Sequence, residues 1–164
     1  MAFGDFFLKN NFVSWSWRRM PRKMRRFLVR LTQSSFTVSA VGVVFDSAQN
    51  VLLLKHLIRA NHSGWGLPGG FINPGEQPEN ALKRELQEEV GIEITDLRHV
   101  KTRTIGSHVE IIYVCRAENT AAKPKKGEIV DAGWFQIDEV KTEILITERE
   151  HIRLALKISE KPQN

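Results

Sequence analysis

Apolar positions beyond residue 35 fall into short runs rich in Val and Leu, separated by clusters of turn-forming residues. Residues 36–45 and 51–56 predict the two strands of a β-hairpin, joined across Asp46-Ser47-Ala48-Gln49-Asn50. Residues 59–66 read as a loop in which Gly64 and Gly66 flank Trp65, and Asn73-Pro74-Gly75 marks a second turn. Near Gln77 the period becomes that of a helix. Pro78 suits its first position, Glu79 complements the positive end of the dipole, and Gly91 supplies the stop. Residues 92–104 and 108–117 predict two more strands, 121–127 a Lys/Pro/Gly loop and 134–135 a short strand. A closing helix over 147–159 carries Thr147 and Glu150 at capping-box spacing. Strands and helices mix without a repeating strand–helix–strand unit, so the predicted class is α+β.

The first 35 residues are aromatic and basic. After Pro21, the residues Met24, Phe27, Leu28 and Leu31 recur at i, i+3, i+4 and i+7, one face of a short helix. Such a basic amphipathic helix suits contact with RNA or with an anionic membrane. The favoured expectation is packing on the domain or on a second copy, in a homodimer, with the arginines in solvent.

Charge sharpens the division. The net +5 and the pI near 9.6 invite a nucleic-acid reading. Residues 1–35 hold eight basic side chains against Asp5 alone, a net of +7. That leaves 16 basic and 18 acidic side chains over residues 36–164, a net of −2. The expected organisation is an extension over 1–35, a folded domain over 36–160 and a tail over 161–164. One cysteine, Cys115, makes neither an internal disulfide nor a thiolate zinc cage. The longest apolar run, residues 38–45, is far shorter than the ~20 residues of a membrane span. Charge follows Trp15 and Trp17 instead of preceding an apolar core, which is not a secretory signal, so the expected location is the cytoplasm.

The chemistry concentrates in the central helix. Leu82, Leu86 and Val90 form one apolar row, and at 100° per residue Glu85, Glu88 and Glu89 fall in an arc of about 100° beside it. Carboxylates crowded in this way repel one another unless a cation neutralises them, and oxygen donors suit a hard divalent ion such as Mg²⁺. The bland alternative for the triplet alone is a solvated acidic face.

Its surroundings decide between the two. Gly70 is followed by five residues, Glu76, seven residues, and then Arg84-Glu85-Leu86-Gln87-Glu88-Glu89-Val90-Gly91-Ile92. This resembles, at every specified position, the signature of the Nudix hydrolases. Seven fixed and two aliphatic positions coincide by chance on the order of once in 10⁹ starting points. The resemblance covers residues 36–160 and leaves out the extension.

What the resemblance implies is an α/β/α sandwich on a mixed sheet, with the box as loop–helix–loop. The implied reaction is hydrolysis of a nucleoside diphosphate linked to another moiety: a nucleotide sugar, an ADP-ribose-like compound, a dinucleotide or a (d)NTP. By the same resemblance Glu85 and Glu89 are the main Mg²⁺ ligands, Glu88 a third or a water-mediated one, and the carbonyl of Gly69 a further donor. Mn²⁺ is the expected substitute. Glu76 and Arg84 would brace loop against helix, with Gly70, Gly75 and Gly91 at the turns. The general base would be a box glutamate, Glu85 or Glu88, or else one on the loop over 123–131, where Glu128 ranks before Asp131.

Trp65, just ahead of the box, suits either stacking on a nucleobase or anchoring its loop. Arg103, His108 and Tyr113 lie on predicted strands in reach of the cleft, His108 equally as a hairpin-turn residue, and a structural role is the favoured expectation for each. Subgroup markers are absent. Positions 105–109 read Ile-Gly-Ser-His-Val where ADP-ribose pyrophosphatases often carry a proline. The downstream motif of NADH pyrophosphatases is missing, as is the Gln of RNA 5′-pyrophosphohydrolases near Leu67-Pro68-Gly69-Gly70. A Nudix-fold module that binds RNA or a nucleotide through its basic extension is the alternative function; the intact glutamates favour the enzyme.

Overall fold

A computed structural model describes residues 15, 17–58, 63–125, 127–141 and 144–160. Most of the aromatic start, part of the 59–66 loop and the 161–164 tail lie outside the described residues. The chain divides into two units between Ser35 and Phe36.

In the first unit, Pro21 leads into α1 (Arg22–Thr32), its fixed φ preorganising the first turn. None of the helix is buried. Met24, Phe27, Leu28 and Leu31 are exposed on this helix.

The second unit comprises β1 (Thr37–Phe45), β2 (Val51–His56), β3 (Trp65–Gly66), β4 (Gly69–Phe71), α2 (Pro78–Glu89), β5 (Ile94–Ile105), β6 (His108–Ala117), β7 (Ile129–Phe135), a 3₁₀ turn (Glu139–Lys141) and α3 (Ile146–Ser159). The strands form one mixed sheet in the order β3-β2-β1-β6-β5, with β4 on β1 and β7 on β2. β1 runs parallel to β6 throughout, from Thr37 opposite His108 to Phe45 opposite Arg116. The expected β1–β2 hairpin closes with a single pair, Phe45 opposite Val51, and the strands then part. Asp46 holds that turn: its carboxylate accepts the backbone N–H groups of Ala48 and Asn50 at 2.9 and 2.7 Å. β4 takes the edge of β1 that β2 leaves, pairing Val41 with Gly69 and Ala40 with Gly70. A Cβ on Gly69 would lie 2.4 Å from the Ala40 carbonyl oxygen, so only glycine permits this approach.

Period-2 alternation sorts the strand side chains into two cores. Ala40, Val44, Leu52, Leu54, Tyr113 and Cys115 face Ala81, Leu82, Leu86 and Val90 of the α2 segment. Val43, Phe45, Val51, Leu53, Ile112 and Val114 face Ile152 and Ala155 of α3, with Val140 and Ile144. This is an α+β fold, a sheet sandwiched between helices. Gly42 makes room for Leu82, whose methyls would stand 3.1 Å from a Cβ there. Cys115 is an inert core residue, its thiol pushed up to about 12 by burial.

Three boundaries differ from expectation. β7 starts at Ile129, not at 134, and places Asp131 on a strand opposite Lys55 instead of in a loop. β3 and β4 arise from a Gly-rich stretch too short to show a strand period. α3 begins one residue earlier than predicted, with Leu145 at its N-cap, so Glu148 instead of Glu150 reaches back to cap the N-terminus, and no N-cap hydroxyl completes the box. The reason is burial: Glu148 points inward and accepts the N–H groups of Leu145 at 3.2 Å and Leu67 at 3.1 Å. At the other end Arg98 donates to the carbonyls of Ile158 and Ser159, a cation on the negative end of the helix.

Leu82→Ala removes a fully buried side chain from the core beneath the box helix. The expected loss is about 2–5 kcal/mol of unfolding free energy, measured by urea denaturation.

Candidate active site

Gln77 leaves the preceding turn extended, and Pro78 starts α2. The apolar row of Ala81, Leu82 and Leu86 fixes the rotation of the helix on the sheet. That rotation sets the burial of the acids: Glu89 is 7% exposed, Glu85 half-buried and Glu88 open to solvent. At the C-terminus Gly91 has φ +74°, and the N–H groups of Gly91 and Ile92 both return to the Leu86 carbonyl. This left-handed cap is a shape glycine adopts without strain.

Arg84 organises the approach to the helix. Its Nε and Nη2 donate to both oxygens of Glu76 at 2.8 and 2.9 Å, and Nη2 also reaches the Phe71 carbonyl at 3.1 Å. Nη1 donates to Glu85 at 2.6 Å and lies 3.8 Å from Glu88. Glu76 accepts the Asn73 N–H at 2.9 Å, which closes the turn onto the same cation. The hydrogen bond from Arg84, then that from Asn73, holds the Glu76 carboxyl down at about 2. Gly70 lies against Glu85: a Cβ there would come within 2.3 Å of the Glu85 carboxyl carbon. The backbone at Gly70 and the Glu85 carboxylate of α2 are thereby brought into contact.

Glu76, Glu85 and Glu88 share the Arg84 cation, and with Glu89 on the same helix these five side chains sum to a formal −3. The acids offer only oxygen donors, a chemistry that fits a hard divalent cation. Among the described residues, no three His, Cys, Asp or Glu side chains converge on one point as a ready metal cage.

A cavity of about 220 Å³ opens beside Gly69-Gly70. Its lining includes Ser39, Arg103, His108, Glu110, Glu148 and His151. Arg103 is clamped to Glu110 at 2.5 Å. His108 has both ring nitrogens engaged, by Thr37 at 2.8 Å and Ser39 at 3.0 Å. His151 is buried, and burial, then the nearby Arg103 cation, holds its imidazole below the usual histidine range.

Trp65 is placed elsewhere, edge-on against Phe135 at 4.9 Å with Lys55 over its ring, and is not among the cavity lining. Tyr113 faces the α2 side and donates to Glu79 at 2.8 Å. Glu128 is exposed immediately before β7, where its carbonyl accepts the Leu57 N–H at 2.9 Å.

Sequence reading missed Glu110, Glu148 and His151. Glu110 was recoverable from arithmetic: a two-residue turn at 106–107 pairs Ile105 with His108, and hence Arg103 with Glu110. Glu148 and His151 stand one helical turn apart, but nothing local marks that face as the one turned to the cavity.

Because the Glu76 carboxyl is lowered, its contribution to stability is complete above the ordinary value near 4.5 and is lost as pH falls towards about 2. In urea unfolding, the gap in midpoint between wild type and Glu76→Gln is expected to be widest at neutral pH. It should shrink steadily below pH 4.5.

The family model for the NUDIX domain matches residues 35–155. A NAD-capped RNA hydrolase NudC of Chromobacterium violaceum is 35% identical over 71 residues, 42% of this chain and 27% of that protein. An 8-oxo-dGTP diphosphatase of Proteus vulgaris is 44% identical over 57 residues, 34% of this chain and 51% of its own. The chain thus spans about half or less of these two relatives. Among solved structures, the MutT NUDIX hydrolase of Burkholderia pseudomallei superposes with a TM-score of 0.62 at 25% identity, covering 72% of this chain and 96% of that one. The NUDIX domain of Shewanella oneidensis NrtR complexed with ADP ribose reaches 0.67 at 21% identity, covering 85% and 99%. With an unbroken signature folded as loop–helix–loop on a mixed sheet, the chain belongs to the Nudix hydrolase family.

Proposed function

We propose that this chain hydrolyses a phosphoanhydride bond in a nucleoside diphosphate linked to another moiety, in a Mg²⁺-dependent reaction carried out in the cytoplasm. The observation that carries the reading is the Arg84-centred cluster, which lays Glu85 against Gly70 while Glu89 lies inward at the end of the same helix. The names of the relatives, a NAD-capped RNA hydrolase and an 8-oxo-dGTP diphosphatase, both describe nucleotide derivatives.

Glu85, Glu89, Glu88 and the Gly69 carbonyl are the residues to hold Mg²⁺, or Mn²⁺ in its place. Such ions, when bound, offset the charge of the diphosphate and lower the pKa of an attacking water. The rest falls to the protein. Arg84 restrains the Glu85 carboxylate, so the donor does not have to be ordered when substrate arrives. The cavity beside Gly69-Gly70 has room for about one ring system, which supports a nucleoside seated next to the phosphate site. Arg103 and His108 line it and supply polar contacts. The proton acceptor is Glu88 or Glu85 in the box, or Glu128 outside it.

A panel of nucleotide sugars, ADP-ribose, dinucleotides and (d)NTPs, assayed with Mg²⁺ and Mn²⁺ and with products identified by mass, tests the reading. Glu89→Gln is expected to lower kcat at least about a hundredfold with its urea midpoint retained. Near-wild-type turnover in that variant would overturn the metal assignment. Arg103→Ala should raise KM about tenfold with a smaller change in kcat, the signature of a lost binding contact. Glu128→Gln should remove the acidic limb of the kcat profile if Glu128 is the base, and leave that limb unchanged if the base is in the box.

A further inference from the structure

The feature the hydrolase reading does not use is α1. Placed on a wheel at 100° per residue, Met24, Phe27, Leu28 and Leu31 fall within one arc of about 100°. Arg22, Lys23, Arg25, Arg26 and Arg30 share the rest with Val29 and Thr32, and the helix has no acidic residue. The apolar arc is open to solvent, with Phe27 61% and Leu31 68% exposed. Trp15, just upstream, is exposed as well, with the Arg19 guanidinium 5.0 Å over its ring.

We propose that α1 is an interfacial helix, which lays this arc into an anionic lipid surface while its arginines and Lys23 meet the headgroups. Stable attachment of this kind takes two signals, buried apolar area and a polybasic patch, and α1 carries both on eleven residues. Aromatic and basic side chains are favoured at headgroup depth, and Trp15 and Arg19 add one of each to the same segment. Residues 36–164, at a net of −2, add no attraction to an anionic surface, so the helix supplies it.

Two other occupants fit less well. A nucleic acid would engage the cations and stack on Phe27, but Met24, Leu28 and Leu31 are aliphatic and read neither phosphate nor base. A second copy packed arc to arc would bring the flanking Lys23 and Arg25 of one helix up against those of the other.

The test is co-sedimentation of the full chain with vesicles of phosphatidylcholine alone and of phosphatidylcholine with phosphatidylserine. Wild type should bind the mixed vesicles, weaken as salt rises, and bind the neutral ones poorly. The double variant Phe27→Ser/Leu31→Ser keeps every charge and should lose more than about tenfold in partitioning. The triple variant Arg22→Gln/Arg26→Gln/Arg30→Gln keeps the arc and should lose about fivefold per arginine. Turnover of a soluble nucleotide should be unchanged in both, which shows the enzyme folded. Three results would overturn the proposal: no binding of wild type to mixed vesicles; equal binding by wild type and the double variant; or no lipid binding together with an RNA affinity or a self-association, by light scattering, that the extension supports.

Discussion

The Arg84 guanidinium is the contact on which the arrangement of the site depends. It bonds to both oxygens of Glu76, to Glu85 and to the Phe71 carbonyl, and so ties a turn, a strand and a helix to one planar group. A lysine could supply the charge but not the fork, because bidentate pairing needs the fixed geometry of guanidinium. The ion pairs are partly open to water, so their value lies in position more than in energy. Without Arg84, the carboxylates of Glu76, Glu85 and Glu88 would lose the cation they share.

That clamp works because the sandwich holds its two sides still. Leu82 and Leu86 seat α2 on one face of the sheet, and Gly42 and Gly69 remove the bulk that would push helix and β4 away. The other face, with α3, contributes Glu148, whose carboxylate binds the Leu67 N–H at the entry to β4. One strand edge is thus positioned from both layers, and the glycine pair that borders acids and cavity inherits its place from both cores.

Local sequence made the most regular parts legible. The start of α2 at Pro78, the apolar row and the Gly91 cap are written in adjacent residues, since capping and helical period act over one or two turns. β6 likewise has the bounds its pattern predicts. Long-range pairing was not legible. That β4 and not β2 lies along β1 depends on how closely Gly69 can approach Ala40, which no window of sequence states. The inward turn of Glu148 and His151 rests on α3 packing against β-strands far away in the chain, and Trp65, although beside the box, is claimed by Phe135 from β7. The exposed arc of α1 was visible as a pattern, but periodicity names a face without naming what covers it.

The connection between β6 and β7 does more than join two strands. Its backbone N–H groups at Lys123 and Lys125 donate to the carbonyls of Val90 and Glu89, and the Lys125 ammonium donates to that of Gln87. These are the carbonyls that a helix leaves without internal partners at its end. The connection therefore has a fixed footing on the acid-bearing helix. Lengthening it ahead of Lys125 would shift the register of that footing and disturb the Glu89 backbone. The Gly106 turn carries a different constraint: a side chain there would meet open space, but the φ of +58° strains residues other than glycine.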